Sequence, residues 1–104
     1  MAFVIPLPPV AAADVTGTDD EFPVRRIYCV GRNYAEHARE MGHDPDREPP
    51  FIFQKSPDNL VRLPPSGEGN FPYPPVSNTV HHEIELVAAL SGGGTDIPEA
   101  DALD

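Results

Sequence analysis

Proline sets the tightest limit on what this chain can fold into. The sequence holds 14 prolines in 104 residues, against a usual share of about 5%. Each lacks a backbone N–H and locks φ, so none fits inside a helix or a central strand without breaking the hydrogen-bond ladder. They cluster at Pro6, Pro8 and Pro9, at Pro49 and Pro50, at Pro64 and Pro65, and at Pro72, Pro74 and Pro75. Regular elements must fit between these clusters and be short. The length suits one small domain. With 39% hydrophobic and 8% aromatic residues, a large core from this chain alone is not expected. Either the fold is loop-rich, or residues outside the chain complete the core.

The stretches between prolines carry their own signals. Ala2–Leu7 reads as a strand stopped by Pro8-Pro9, and Arg25–Val30 as a second strand ended by Gly31. The acidic turn Thr16-Gly17-Thr18-Asp19-Asp20 lies between them, so the two are expected to pair as a hairpin. Asn33 with Glu36 has capping-box spacing and Gly42 takes the C′ position, which brackets a helix Tyr34–Met41. Phe51–Gln54 is a short β-run after Pro49-Pro50. Leu63–Val76 is read as a rigid loop, the alternative being a ligand for an aromatic-lined groove. Thr79–Leu90 is the last β-rich segment, and Ser91–Thr95 a glycine turn without the ending of a phosphate loop. Thr95 or Asp96 would cap a final helix with Pro98 in its first turn. That helix has barely two turns before Asp104, so the chain reads as interrupted.

Charge removes several classes of function. Seven basic and 17 acidic residues give a formal charge of −10. A nucleic-acid binder needs a positive face to displace counterions, and an anionic membrane needs the same, so neither is expected as a partner. No apolar run is long enough to span a bilayer. The N-terminus lacks a basic stretch, and its apolar run is broken by Pro6, Pro8 and Pro9, so it is not read as a secretion signal. Cys29 is the single cysteine; no internal disulfide is possible, and a reducing, cytoplasmic location is expected. A packed thiol is the preferred reading of Cys29 over a nucleophile, since nothing basic is paired with it.

The chemistry-bearing residues fall in four places. In His81-His82-Glu83-Ile84-Glu85-Leu86, a strand would project Glu83 and Glu85 from one face. Paired carboxylates repel unless a proton or cation lies between them, and a hard divalent ion suits them. The alternative is a solvent-facing polar row. His37 and Glu40 stand three apart on the expected helix, where a carboxylate can orient an imidazole as a general base. The alternative is an exposed surface pair. Lys55, the only lysine, could polarise a carbonyl or be a surface charge at a loop start. Arg32 offers a guanidinium to a substrate carboxylate.

Taken in order, these blocks resemble the fumarylacetoacetate hydrolase family, in its acylpyruvase-like branch. They are Tyr28-Cys29-Val30-Gly31-Arg32-Asn33-Tyr34, Glu36-His37-Ala38-Arg39-Glu40-Met41-Gly42, Pro50-Phe51-Ile52-Phe53-Gln54-Lys55-Ser56-Pro57-Asp58, His82-Glu83-Ile84-Glu85-Leu86 and Ile97-Pro98-Glu99-Ala100-Asp101-Ala102-Leu103. The match runs from about Arg25 to Asp104. The resemblance implies a mixed-β fold, roll- or barrel-like with a few short helices, and incomplete in this chain. Residues 1–24 would be an N-terminal hairpin region. Residues 25–104 would be the N-terminal half of the catalytic domain, continuing past the chain end.

The resemblance also implies roles. Glu83 and Glu85 match two of three carboxylate ligands for Mg²⁺ or Mn²⁺, the third lying on a later strand beyond Asp104. His37 and Glu40 match a water-activating dyad and Lys55 a site lysine, while Arg32 and Tyr34 would bind substrate. The implied reaction is hydrolysis of the C–C bond of an acylpyruvate such as fumarylpyruvate. Its 2-keto-acid end would bind at the cation while His37 deprotonates the attacking water. Isomerase and oxaloacetate decarboxylase activities fit the same residues. The implied partners are a small anionic keto acid and a second copy of the chain, as a homodimer. Two further readings remain open: a non-catalytic fragment or assembly module, and an unrelated Pro-rich acidic binding module.

Overall fold

The computed structural model describes residues 1–31, 39–42 and 49–104. They form two compact units, Met1–Gly69 and Asn70–Asp104. The first contains four strands, β1 Ala12–Asp14, β2 Glu21–Pro23, β3 Ile27–Gly31 and β4 Phe51–Lys55. These make two separate antiparallel ribbons, β1 with β2 and β3 with β4. The mixed-β character with short helical pieces agrees with expectation. No roll or barrel closes among the described residues.

The expected acidic turn is present, but it joins different strands. β1 and β2 pair Ala12 with Pro23, Ala13 with Phe22 and Asp14 with Glu21. Gly17 has φ +87° in the turn between them, a conformation glycine adopts without steric cost. The Asp20 amide donates to the Thr18 hydroxyl at 3.1 Å. Residues 2–7 form no strand and are exposed. Pro6, Pro8 and Pro9 leave gaps in the row of N–H donors a ladder needs, and the small residues Ala12 and Ala13 pair instead.

The second expected strand lies at Ile27–Gly31 and finds its partner in β4, not near the N-terminus. Five register pairs join them, from Ile27 opposite Lys55 to Gly31 opposite Phe51. Phe51–Gln54 was expected as β, and the strand extends one residue further to Lys55. Asp14 and Glu21 are like charges placed directly opposite, an unfavourable pair. Arg62, 48 residues along from Asp14, offsets it. One guanidinium nitrogen donates to Glu21 at 2.8 Å and the other to Asp14. The hydrogen bonds it donates to Glu21 and then Asp14 hold the guanidinium above its ordinary pKa.

Most of the expected helix Tyr34–Met41 lies outside the described residues. Arg39 and Glu40 are helical, and Gly42 follows at φ +81° with its N–H on the Arg39 carbonyl at 3.0 Å. This agrees with the C′ assignment of Gly42.

The second unit corrects two expectations. Residues 79–90 contain no strand and are exposed. A β-rich sequence becomes a strand only when a neighbour takes its N–H and C=O groups in a ladder, and the two ribbons among the described residues are made by β1–β4 alone. The final helix is a single 3₁₀ turn, Glu99–Asp101, with Pro98 at its N-cap and no side-chain cap. Asp96, at φ +54°, and Thr95 do not cap it. Residues 63–76 form a loop, as the proline clustering predicts. Among the described residues no side chain is fully buried.

Candidate functional site

Lys55 is the best-anchored of the candidate residues. It closes β4 opposite Ile27 and leads straight into a 3₁₀ turn, Pro57–Asn59. The sequence explains that turn. Ser56 is its N-cap, accepting from the Asp58 amide at 3.3 Å, and Pro57 supplies a preset φ. The Asn59 and Leu60 amides close the turn on the Ser56 and Pro57 carbonyls at 3.0 and 3.1 Å. A paired strand on one side and a capped turn on the other thus hold the Lys55 backbone. Its side chain is exposed.

Alternation places Lys55, Phe53 and Phe51 on one face of β4, with Gln54 and Ile52 on the other. Cross-strand pairing adds Ile27, Cys29 and Gly31 to the Lys55 face. Those three are half-buried, whereas Tyr28 and Val30 on the opposite face are exposed. Phe51 and Phe53 stack with ring centroids 5.6 Å apart and planes at 27°. The lysine therefore shares its face with an aromatic pair. Sequence reading missed this, although the Phe-x-Phe-x-Lys alternation carried the signal. Cys29 is half-buried opposite Phe53, in keeping with a packed thiol.

The other candidates are distributed as follows. Glu40 lies in the first unit and is exposed, in the described end of the helix. Its dyad partner His37, and the substrate-binding candidates Arg32 and Tyr34, lie outside the described residues. Glu83 and Glu85 lie in the second unit, on the exposed irregular segment. The strand face expected to present them together does not form. Ile84 and Leu86 between and beside them are each 92% exposed.

Carboxylate oxygens are the donors a hard divalent cation prefers, so Glu83 and Glu85 fit such an ion in kind. Two donors are fewer than its shell requires. Among the described residues no group of three or more His, Cys, Asp or Glu side chains gathers to complete one. No described helix is long and apolar enough to cross a membrane.

Comparison with known proteins supplies what the isolated geometry does not. The family model for the fumarylacetoacetate (FAA) hydrolase C-terminal domain matches residues 26–104. A mitochondrial oxaloacetate decarboxylase of Dictyostelium discoideum is 38% identical over 80 residues, covering 77% of this chain and 35% of the relative. A mitochondrial oxaloacetate tautomerase of Arabidopsis thaliana is 39% identical over 79 residues, covering 76% of this chain and 33% of the relative. The chain thus spans about a third of the length of these curated relatives. Among solved structures, fumarylpyruvate hydrolase from Pseudomonas aeruginosa, in complex with Mn²⁺ and pyruvate, is 53% identical with a TM-score of 0.56. That match covers 58% of this chain and 26% of the other.

Proposed function

Because the chain belongs to the fumarylacetoacetate hydrolase family, we propose that it carries part of the site of a divalent-metal-dependent enzyme acting on a small 2-keto acid. Hydrolysis of the C–C bond of an acylpyruvate, such as fumarylpyruvate, is the reaction assigned. The observation that carries this reading is the 53% identity to a fumarylpyruvate hydrolase solved with Mn²⁺ and pyruvate. Residues 25–104 would contribute to the catalytic domain, and residues 1–24 form an N-terminal hairpin region. A cytoplasmic homodimer is the proposed setting, the single cysteine suiting a reducing compartment.

The roles follow from side-chain chemistry. Glu83 and Glu85 would contribute oxygens to Mg²⁺ or Mn²⁺. When bound, such an ion supplies Lewis-acid polarisation of the keto acid's oxygens. Arg32 grips the substrate carboxylate through paired N–H donors, with Tyr34 beside it. His37, oriented by Glu40, takes a proton from water as the water oxygen bonds to the distal carbonyl carbon. Lys55 donates a hydrogen bond where negative charge grows on a carbonyl oxygen. The C–C bond then breaks with its electron pair going to the pyruvate side, which is reprotonated to pyruvate while the acyl side leaves as a carboxylic acid.

A second reading is favoured by the two curated relatives, which act on oxaloacetate. Tautomerisation moves a proton between carbon and oxygen, and decarboxylation releases CO₂; neither needs an attacking water. One experiment, on this chain extended to the full length of its relatives, separates them: incubation with Mn²⁺ and either fumarylpyruvate or oxaloacetate. Stoichiometric fumarate and pyruvate support the hydrolase. Keto–enol interconversion or CO₂ release from oxaloacetate alone supports the second reading. Absence of metal-dependent turnover of both substrates overturns both.

A further inference from the structure

We propose that the β1–β2 hairpin is an arm strapped to the Lys55 end of the β3–β4 ribbon by Arg62, and that ionic strength sets how often the strap is closed. The inference is independent of the reaction assigned above.

Arm and ribbon are separate pieces of pairing. The Val24 amide donates to the Ala11 carbonyl at 2.7 Å, one rung beyond Pro23, so the hairpin reaches Val24. Arg25 and Arg26, in no regular element, are then the whole covalent link to Ile27, where β3 begins. At about 3.6 Å per residue that link spans up to roughly 11 Å. Its residues keep two soft dihedrals apiece, so the link by itself fixes no orientation.

Arg62 makes a second attachment. Ile27 pairs with Lys55, and from Lys55 the chain runs through the Ser56-capped turn Pro57–Asn59 to Arg62. The guanidinium then returns to the hairpin, donating to Glu21 at 2.8 Å and to Asp14. Link, ladder, turn and ion pairs thus close a ring through the Lys55 end of the ribbon. Register builds the anchor: Asp14 stands opposite Glu21, and a planar guanidinium with five donors can answer both carboxylates. The arm precedes the family-matched residues 26–104 and Arg62 lies within them, so the strap joins an outlying segment to the matched domain.

Exposure makes this a strap rather than a fixed joint. The side chains of Arg62, Glu21 and Asp14 are 43%, 50% and 70% exposed. Ion pairs that wet contribute little individually, and added salt weakens them further. The screening length is about 30 Å at 0.01 M salt and about 3 Å at 1 M. The strap is therefore closed more often at low salt and open more often at high salt.

Residual dipolar couplings of the backbone amides test this, in the chain extended to the full length of its relatives and aligned in a neutral stretched gel. At about 0.01 M salt the couplings of residues 12–23 and those of β3 and β4 should fit one alignment tensor. At about 1 M the hairpin couplings should shrink relative to those of the ribbon while still agreeing among themselves. The expected rise in the open-to-closed ratio is about 2- to 5-fold. Arg62→Ala should show the shrunken pattern already at low salt, with no further response to salt. Asp14→Asn with Glu21→Gln removes both the anchor and its internal repulsion, so the hairpin keeps its pairing; this variant should match Arg62→Ala. A single tensor in every variant at both salts overturns the proposal, as does a salt response that persists in Arg62→Ala. Hairpin couplings that no longer agree among themselves in the Asn/Gln variant also overturn it, because the charges would then hold the hairpin's own strands and not its orientation. The couplings need neither metal nor substrate, so the result stands whether or not either keto acid is turned over.

Discussion

At the residue scale, the general base and the metal ligands predict different kinetic faults. His37→Ala deletes proton abstraction and leaves substrate binding in place. General-base assistance is typically worth about 10²- to 10⁴-fold, so kcat should fall by that much with KM little changed. Glu40→Gln should lose less, because it weakens imidazole orientation without removing the base. The double variant should be scarcely worse than His37→Ala; additive losses in steady-state kinetics would return both to the helix surface. Glu85→Gln keeps size and removes one charge from the cation's donors. Its Mn²⁺ titration should shift to higher concentration, with activity partly recovered by excess metal. An unshifted titration would make Glu83 and Glu85 a polar surface row. These assignments came from residue order and type, while the pairing of Cys29 with Phe53 and of Gly31 with Phe51 did not, because it depends on cross-strand register.

At the scale of elements, short pieces are held by local chemistry that can be read along the chain and by partners that cannot. Ser56-Pro57-Asp58 predicts its own turn. Ser56→Ala removes the acceptor for the Asp58 amide and should cost about 0.5 kcal/mol, the low end for a cap, read as a small fall in the denaturant midpoint. The β1–β2 hairpin is different, because its Asp14–Glu21 pair depends on Arg62, far away in sequence. Arg62→Ala should speed amide exchange across residues 12–23 while leaving β3–β4 protected. About 1 M salt, where screening acts within roughly 3 Å, should produce part of the same effect in the unaltered protein. Equal exchange in both would show the clasp to be idle. Strand pairing went elsewhere than expected for a related reason: β-propensity marks Arg25–Val30 as a strand but does not name its neighbour.

At the scale of the whole molecule, burial is the informative quantity. No described side chain is fully buried, and Val30, Ile52, Ile84 and Leu86 stand exposed. Fully burying each such side chain is worth about 1.5–3 kcal/mol, so the described residues forgo most of the apolar stabilisation their composition offers. The 104-residue chain by itself should therefore unfold over a broad, weakly cooperative range and bind a hydrophobic dye before heating. It should also show no Mg²⁺-dependent acylpyruvate cleavage. A sharp transition without dye binding, or turnover by the chain alone, would contradict this.

What the sequence by itself determined is whatever follows from neighbours along the chain. Proline clusters bound the elements, Gly17 and Gly42 mark turns that need positive φ, and Ser56 caps the turn after Lys55. The ordered blocks from Tyr28 to Leu103 identify the family. What only tertiary structure decided is whatever needs a partner distant in sequence. Ile27–Gly31 chose Phe51–Lys55 over the N-terminus, and Arg62 closed on Asp14 and Glu21. Residues 79–90, read as β-rich, formed no strand. The physical reason is the same in each case: a strand or a like-charge pair is stable only when another segment supplies the missing hydrogen bonds or charge, and local sequence does not specify which segment that is.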